Sequence, residues 1–381
     1  MKLFDVYPLI PVTIAKAEGA RLWDDKGQEY IDLYGGHAVI SIGHTHPHYV
    51  KRIEEQLSQI AFYSNSVQIP IQKEYAEKLG ELSGYPDYEL FLCNSGAEAN
   101  ENAIKLASFA TGKSGFIAFS GSFHGRTSGA VALTDNAKIV APCNEREDFH
   151  ILPWEDLEAV ENVLKSKGIA GIIIEGIQGV NGIQVPSGEF LQGLATLAKK
   201  YEARLILDEV QSGFGRTGRF FAHQLVEDLK PDIISMAKGM GNGFPIGGIL
   251  ISPEFKATYG LLGTTFGGNH LACAAGMAVV EVIENENLLE NASTLGEKLL
   301  AGLKEIPGIM AIRGTGLMIG IDLDREAGPV RSELVTKYHM FTGSAAGKNT
   351  IRLLPPLNIS WKQLNSFITA LKEILSKSPI K

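Results

Sequence analysis

Between residues 88 and 238 the chain repeats one pattern, a short run of apolar and β-branched residues followed by a longer stretch with helical spacing. The runs fall at 88–93, 116–119, 171–175, 204–208 and 233–236. The last four read as strands buried on both faces, which need helices above and below them, and the first leads into a helix. A helix is predicted over 189–201, and another starts near Gly96. This alternation restricts the fold to an α/β architecture with a mostly parallel central sheet. In such sheets ligands collect outside the carboxyl ends of the strands.

Three of those ends carry charge. Asp208 closes one apolar run, Glu175 closes another, and Lys238 follows the run at 233–236 as the chain turns glycine-rich. A carboxylate that ends an apolar strand is poorly solvated unless it is paired, and a protonated pyridine nitrogen is a fitting partner. A lysine at another strand end can bind an aldehyde covalently and then act as a base. An acid for the ring nitrogen and a lysine for the aldehyde are the two groups pyridoxal phosphate needs. The plainer readings are a helix cap or ion pair for Asp208 and solvated surface for Lys238.

Two loops fit around that pair. The segment NSGAE at 94–98 follows a strand and opens a helix, with Ser95 and Glu98 spaced as a capping box and Gly96 allowing close backbone approach. Free N–H groups at such a helix start cradle anions, although many capping boxes bind nothing. The segment SGSFHGR at 120–126 also follows a strand, placing Phe123 to lie over a flat ring and Arg126 to grip a carboxylate.

Size and charge narrow the classes of function. A chain of 381 residues suits an enzyme subunit of two domains. With 35 basic and 43 acidic residues and no basic block, nucleic acid is not an expected partner. Apolar runs are cut by charges or glycines before membrane-spanning length, so a cytoplasmic protein without a membrane partner is expected. Cys93, Cys143 and Cys273 fit neither a disulfide framework nor a metal knuckle. His44, His46 and His48 alternate and would share one face of an extended segment, an arrangement open to a metal. Capping or packing in a Gly/Pro-bounded turn is the favoured reading, and no metal is expected.

The flanks differ from the middle. Residues 12–34 read as a hairpin with its turn at 23–27, and the tail mixes helices, at 291–306 and 361–375, with a short sheet. The expected division is 1–45 as the N-terminal part of a small domain, 46–290 as the large cofactor-binding domain, and 291–381 as the C-terminal small domain. The last residues, 377–381, are expected to fray.

These segments together resemble the ornithine-type, class III aminotransferases, closest to the acetylornithine and succinylornithine branch. The likeness runs from GARLWDDKGQEYID at 19–32 and GHTHP at 43–47 to IRLLPPL at 351–357. It implies the type I fold of pyridoxal-phosphate transferases, like aspartate aminotransferase, and a homodimer with active sites at the interface. By motif, Ser95, Gly96 and Ala97 match the phosphate-binding helix start, with Ala97 where many relatives have threonine. Phe123 matches the ring-stacking residue, and His124 and Glu175 lie among the cofactor-binding positions. Asp208 matches the partner of the ring nitrogen, Val210 the packing on the other ring face, and Gln211 a hydrogen-bond partner near the phenolic oxygen. Lys238 falls on the cofactor-binding lysine, and Thr265 on the residue that reaches the neighbouring subunit's cofactor phosphate.

For substrate, the resemblance implies that Arg352 holds the α-carboxylate of glutamate or 2-oxoglutarate and that Arg126 takes the far carboxylate. Tyr34 and Asn65 are candidates for the acyl pocket. Val180 stands where many relatives have a glutamate that pairs with the arginine at 352, so Arg352 is expected to be less masked here. The implied reaction is transamination between an N-acylated ornithine, acetyl or succinyl, and 2-oxoglutarate, giving the semialdehyde and glutamate in arginine synthesis. The alternatives are an aminotransferase for ornithine, 4-aminobutyrate or another ω-amine, and a non-enzymatic dimer that kept the fold. Intact Lys238 and Asp208 argue against the last.

Overall fold

The computed structural model describes residues 1–166 and 168–377. All of the tail expected to fray except Lys377 therefore lies outside the described residues. The chain opens with three short strands, β1 (Ile14–Glu18), β2 (Arg21–Asp24) and β3 (Glu29–Asp32), paired antiparallel. One hairpin was expected over this stretch. Gly19, at φ 57°, adds a second turn and makes it a meander. In the other turn Asp24 Oδ1 accepts from Lys26 N at 3.0 Å and Gln28 N at 2.8 Å, so the side chain closes the bend.

Seven strands form the central sheet: β4 (Glu89–Cys93), β5 (Gly115–Phe119), β6 (Phe149–Leu152), β7 (Ile169–Glu175), β8 (Arg204–Asp208), β9 (Ile233–Met236) and β10 (Gly247–Ile251). Their order is β4-β10-β9-β8-β7-β5-β6. The five from β9 to β6 run parallel, while β10 is antiparallel to both its neighbours. Side chains leave a strand alternately to its two faces. Ile173 and Ile206 accordingly join Ala99, Ala103 and Leu106 of the helix Gly96–Thr111 in one core. Ile172, Ile174, Leu205 and Leu207 join Phe190, Leu191 and Leu194 of the helix Gly188–Lys200 in another. Each fully buried side chain of this size contributes about 1.5–3 kcal/mol, which explains why these strands carry apolar residues on both faces.

Sequence alone misses β6 and β10. The first is a half-buried edge strand containing His150, and the second begins with two glycines that read as a loop. Both glycines are required by close approach. A Cβ at Gly247 would lie 2.6 Å from Ser95 O, and one at Gly248 would lie 2.7 Å from Phe91 O.

The C-terminal part supplies β11 (Ile309–Thr315), β12 (Met318–Leu323), β13 (Met340–Phe341), β14 (Gly343–Ser344) and β15 (Thr350–Leu353). Four of these form the sheet β11-β12-β15-β14, while β13 pairs in parallel with β3. Strands from the two ends of the chain thus share a sheet. The helices Leu288–Lys304 and Trp361–Leu375 bury Leu295, Leu299, Leu364 and Phe367. Among the described residues no helix is long and apolar enough to cross a membrane.

Candidate active site

The sheet register brings the charged strand ends together. Glu175 of β7 pairs across from Asp208 of β8, and Asp208 pairs across from Ser235 of β9. Lys238 follows two residues beyond β9, at φ 47°, a left-handed conformation that a lysine adopts only where its surroundings hold it. Gly96, Ala97, Phe123, His124, Arg126, Glu175, Asp208, Val210, Gln211 and Lys238 line one cavity of about 240 Å³, together with Gly125 and Val180. A larger groove of about 850 Å³ lies at the opposite end of β8, around Arg204, Asp232 and Lys113, away from these groups.

Asp208 is buried and satisfied by three donors. His124 Nδ1 lies 2.8 Å and Asn100 Nδ2 2.7 Å from its Oδ2, and Val210 N donates to Oδ1 at 3.0 Å. Glu175 accepts from Phe123 N and Gly179 N, each at 3.0 Å. Burial nevertheless pushes its pKa up to about 7; His124 draws it back down and Asp208 raises it further. At Lys238 burial depresses the ammonium pKa, with Asp208 and Glu175 opposing and Arg352 reinforcing the shift. An amine that surrenders its proton more easily is a better nucleophile and base near neutral pH.

Backbone shapes the other wall. Ser95 Oγ accepts from Glu98 N at 3.2 Å, so that hydroxyl caps the helix instead of lining the cavity. The cavity is lined at this point by Gly96 and Ala97. A Cβ at Gly96 would come within 2.6 Å of Val210 Cγ1, and one at Gly125 within 2.8 Å of Ala97 Cβ. The helix start, the 123–126 loop and the residues after β8 are therefore in close contact.

Beside the cavity, Arg352 is buried on β15, and each of its hydrogen bonds goes to a neutral oxygen. Nε donates to Ser344 O at 2.5 Å, Nη1 to Gln211 Oε1 at 3.4 Å and Nη2 to the Tyr34 hydroxyl at 3.3 Å. Burial lowers the guanidinium pKa, which Tyr34 partly restores. Tyr34 meets Arg352 and sits 2.5 Å from His37 Nδ1, outside the cavity lining. Val180 lines the cavity with an apolar side chain.

Gln211 reaches the cavity, but its amide spans Arg352 and the His37 carbonyl, 3.1 Å from Nε2. Asn65 does not line the cavity: it donates to Gly267 O at 3.0 Å and accepts from Gln72 at 2.8 Å, bracing the loop that carries Thr265. Thr265 is exposed and outside this chain's own cavity. The three alternating histidines each pair with a separate acid, His44 with Asp32, His46 with Glu286 and His48 with Glu281. Among the described residues no three potential ligands cluster as a metal site.

Sequence reasoning missed Asn100, Ser235 and Glu209. Glu209 is wholly buried and accepts from Ser212 Oγ, Ala222 N, and the backbone and ring of His223 at 2.6–3.0 Å, fixing the loop after β8. Adjacent to Asp208 in sequence, it reads as half of an acidic pair, yet neighbouring residues project in different directions. Its partners lie beyond local pattern.

An acid and a lysine at adjoining strand ends, a helix N-terminus and an aromatic at one cavity fit pyridoxal phosphate, and with this sheet they define a type I enzyme of that cofactor. The aminotransferase class-III family model matches residues 5–375. Acetylornithine aminotransferase of Halalkalibacterium halodurans is 42% identical over 387 residues, covering 99% of each chain. That of Bacillus subtilis is 39% identical over 381 residues, covering 98% of this chain and 97% of its own. Among solved structures, ornithine aminotransferase of Toxoplasma gondii, with partial occupancy of PLP at its active site, matches at a TM-score of 0.88 and 28% identity, covering 97% of this chain and 91% of that one. Acetylornithine aminotransferase of Elizabethkingia anophelis matches at 0.84 and 30% identity, covering 97% and 95%. The chain belongs to the class III aminotransferases and is a pyridoxal-phosphate-dependent aminotransferase.

Proposed function

We propose that the protein moves the terminal amino group of an N-acylated L-ornithine, acetyl or succinyl, to 2-oxoglutarate, releasing the N-acyl-glutamate semialdehyde and glutamate for arginine synthesis. The observation that carries this reading is the placing of two arginines at different positions around the cavity that Lys238 lines, Arg126 on its wall and Arg352 bonded to Gln211 beside it. A pocket with carboxylate grips at two depths suits both a long acylated amino acid and a short dicarboxylate. The shared name of relatives 37–42% identical supports the acetyl form.

Bound pyridoxal phosphate supplies an aldehyde that captures the amine and a ring that accepts the electrons left by proton loss. Asp208, its carboxylate oriented by three hydrogen-bond donors, would hold the ring nitrogen of the bound cofactor protonated. Phe123 and Val210 would pack against the cofactor ring, and the backbone at Gly96 and Ala97 would receive its phosphate. Lys238 anchors the cofactor, yields to substrate, and with its Nζ takes the proton from the carbon bearing the amine. Its depressed pKa supports that last role. Arg352 binds the α-carboxylate of 2-oxoglutarate, and Arg126 takes the second carboxylate or that of the acylated ornithine.

A second copy of the chain completes the site in this reading, with Thr265 contributed across the interface. Leu3, Phe4 and Leu9 are 96%, 91% and 84% exposed, and Tyr63 and Phe266 are also exposed. Apolar surface of this extent supports association. Glutamate released from 2-oxoglutarate and N-acetyl- or N-succinylornithine tests the reaction. Turnover is expected from the wild type, and Lys238→Ala should lower kcat by about 10³-fold or more; an unimpaired Lys238→Ala enzyme would overturn the mechanism.

A further inference from the structure

Asn100 and Ser235 take no part in the chemistry assigned above, yet both are buried against Asp208. Asn100 lies one helical turn beyond Gly96 and is 1% exposed, while Ser235 has no exposure at all. Every polar group of the Asn100 amide is used. Nδ2 donates to Asp208 Oδ2 and to His124 O, both at 2.7 Å, and Oδ1 accepts from Ser235 Oγ at 2.6 Å. Turning the amide over would set its oxygen against a carboxylate and a carbonyl oxygen, so its orientation is fixed. The same side chain joins four segments: the helix of the phosphate site, the 120–126 loop, the end of β8 and the strand three residues before Lys238.

We infer that Asn100 is a positioning residue for the reaction, and that Ser235 acts through it. The amide fixes the orientation of the Asp208 carboxylate and holds the Phe123–Arg126 loop against the same strand end. This rests on the proposed pairing of Asp208 with the ring nitrogen. A buried, satisfied amide of purely structural value would also cost stability when removed. The two roles separate in what the bound cofactor reports. A carboxylate that loses a donor and its fixed orientation changes how strongly it holds the ring proton, and this alters the cofactor's absorbance as well as the rate.

The test uses holoenzyme carrying Asn100→Ala, Ser235→Ala, both changes, or Asp208→Asn. Three quantities are read: kcat against KM, the pH midpoint of the bound cofactor's visible absorbance change, and the cofactor dissociation constant. Asn100→Ala is expected to lower kcat by about tenfold or more with little change in KM and to move the absorbance midpoint by roughly one pH unit. Ser235→Ala, the smaller excision, should shift both in the same direction and by less. The double variant should match Asn100→Ala alone, because the Ser235 hydroxyl, the only group that Ser235→Ala removes, donates its hydrogen bond to the amide. Additive effects, or an unmoved midpoint in Ser235→Ala and Asn100→Ala proteins, overturn the inference. If Asn100→Ala fails to fold, an unmoved midpoint in Ser235→Ala overturns it alone. Asp208→Asn separates the two levels. If that variant keeps wild-type rate and absorbance, the Asp208 assignment itself fails, and the inference with it.

Discussion

Glu175 accepts two backbone N–H bonds and still keeps its proton up to about pH 7, because burial outweighs both donors. Its pKa is raised on folding, so from about 4.5 to about 7 the folded protein holds a proton that the unfolded chain has lost. The contribution to stability is therefore fully present below 4.5 and is lost as pH rises through 7, a change of roughly 3 kcal/mol. In cofactor-free protein, Glu175→Gln should flatten the fall in melting temperature across that window relative to wild type. Equal slopes for the two proteins would show that the carboxyl titrates normally. At this scale the meeting of Asp208 and Lys238 at one cavity was legible because the first closes an apolar strand and the second follows another two residues on. Asn100 and Ser235 were not, since their meaning lies in a contact between residues 135 positions apart. The direction of the Gln211 amide, likewise, is set by Arg352, 141 residues away.

At the scale of elements, the site depends on how closely β10 approaches the start of the helix Gly96–Thr111. A Cβ at Gly247 meets Ser95 O at 2.6 Å and Met236 O at 3.1 Å, and both are backbone atoms that cannot swing aside. Gly247→Ala should thus cost about 1–3 kcal/mol of stability and weaken cofactor binding by shifting Gly96 and Ala97. Thermal melts and cofactor titration check the two effects, and a variant with wild-type cofactor affinity would mean that the helix start does not rely on this contact. Five central strands were readable from continuous apolar runs. The helix Trp361–Leu375 was readable to the residue from its spacing, and the structure adds a Ser360–Gln363 capping box at its start. By contrast β10 was hidden by the glycines that let it fit, since residues chosen for close approach carry no apolar signal. Residues 12–34 showed one turn clearly and concealed the other, at Gly19.

At the scale of the molecule, the exposed apolar N-terminus around Leu3, Phe4 and Leu9 is expected to be covered by a second copy. Light scattering should give twice the 41.2 kDa chain mass, and removing residues 1–10 should weaken both association and cofactor retention. A monomer that binds cofactor tightly would contradict the shared site. The family was legible from motifs spread along the chain, whereas the acyl group was not: a methyl and a carboxylate differ in what surrounds the substrate tail, and no local motif encodes that wall. The most direct measurement mixes cofactor-loaded protein separately with N-acetylornithine, N-succinylornithine, ornithine and 4-aminobutyrate, without oxoacid, and follows the cofactor's visible band. One N-acylornithine is expected to bleach that band faster than the two unacylated amines, with 2-oxoglutarate restoring it. Bleaching by ornithine or 4-aminobutyrate while both acylated substrates leave the band intact would contradict the proposed function.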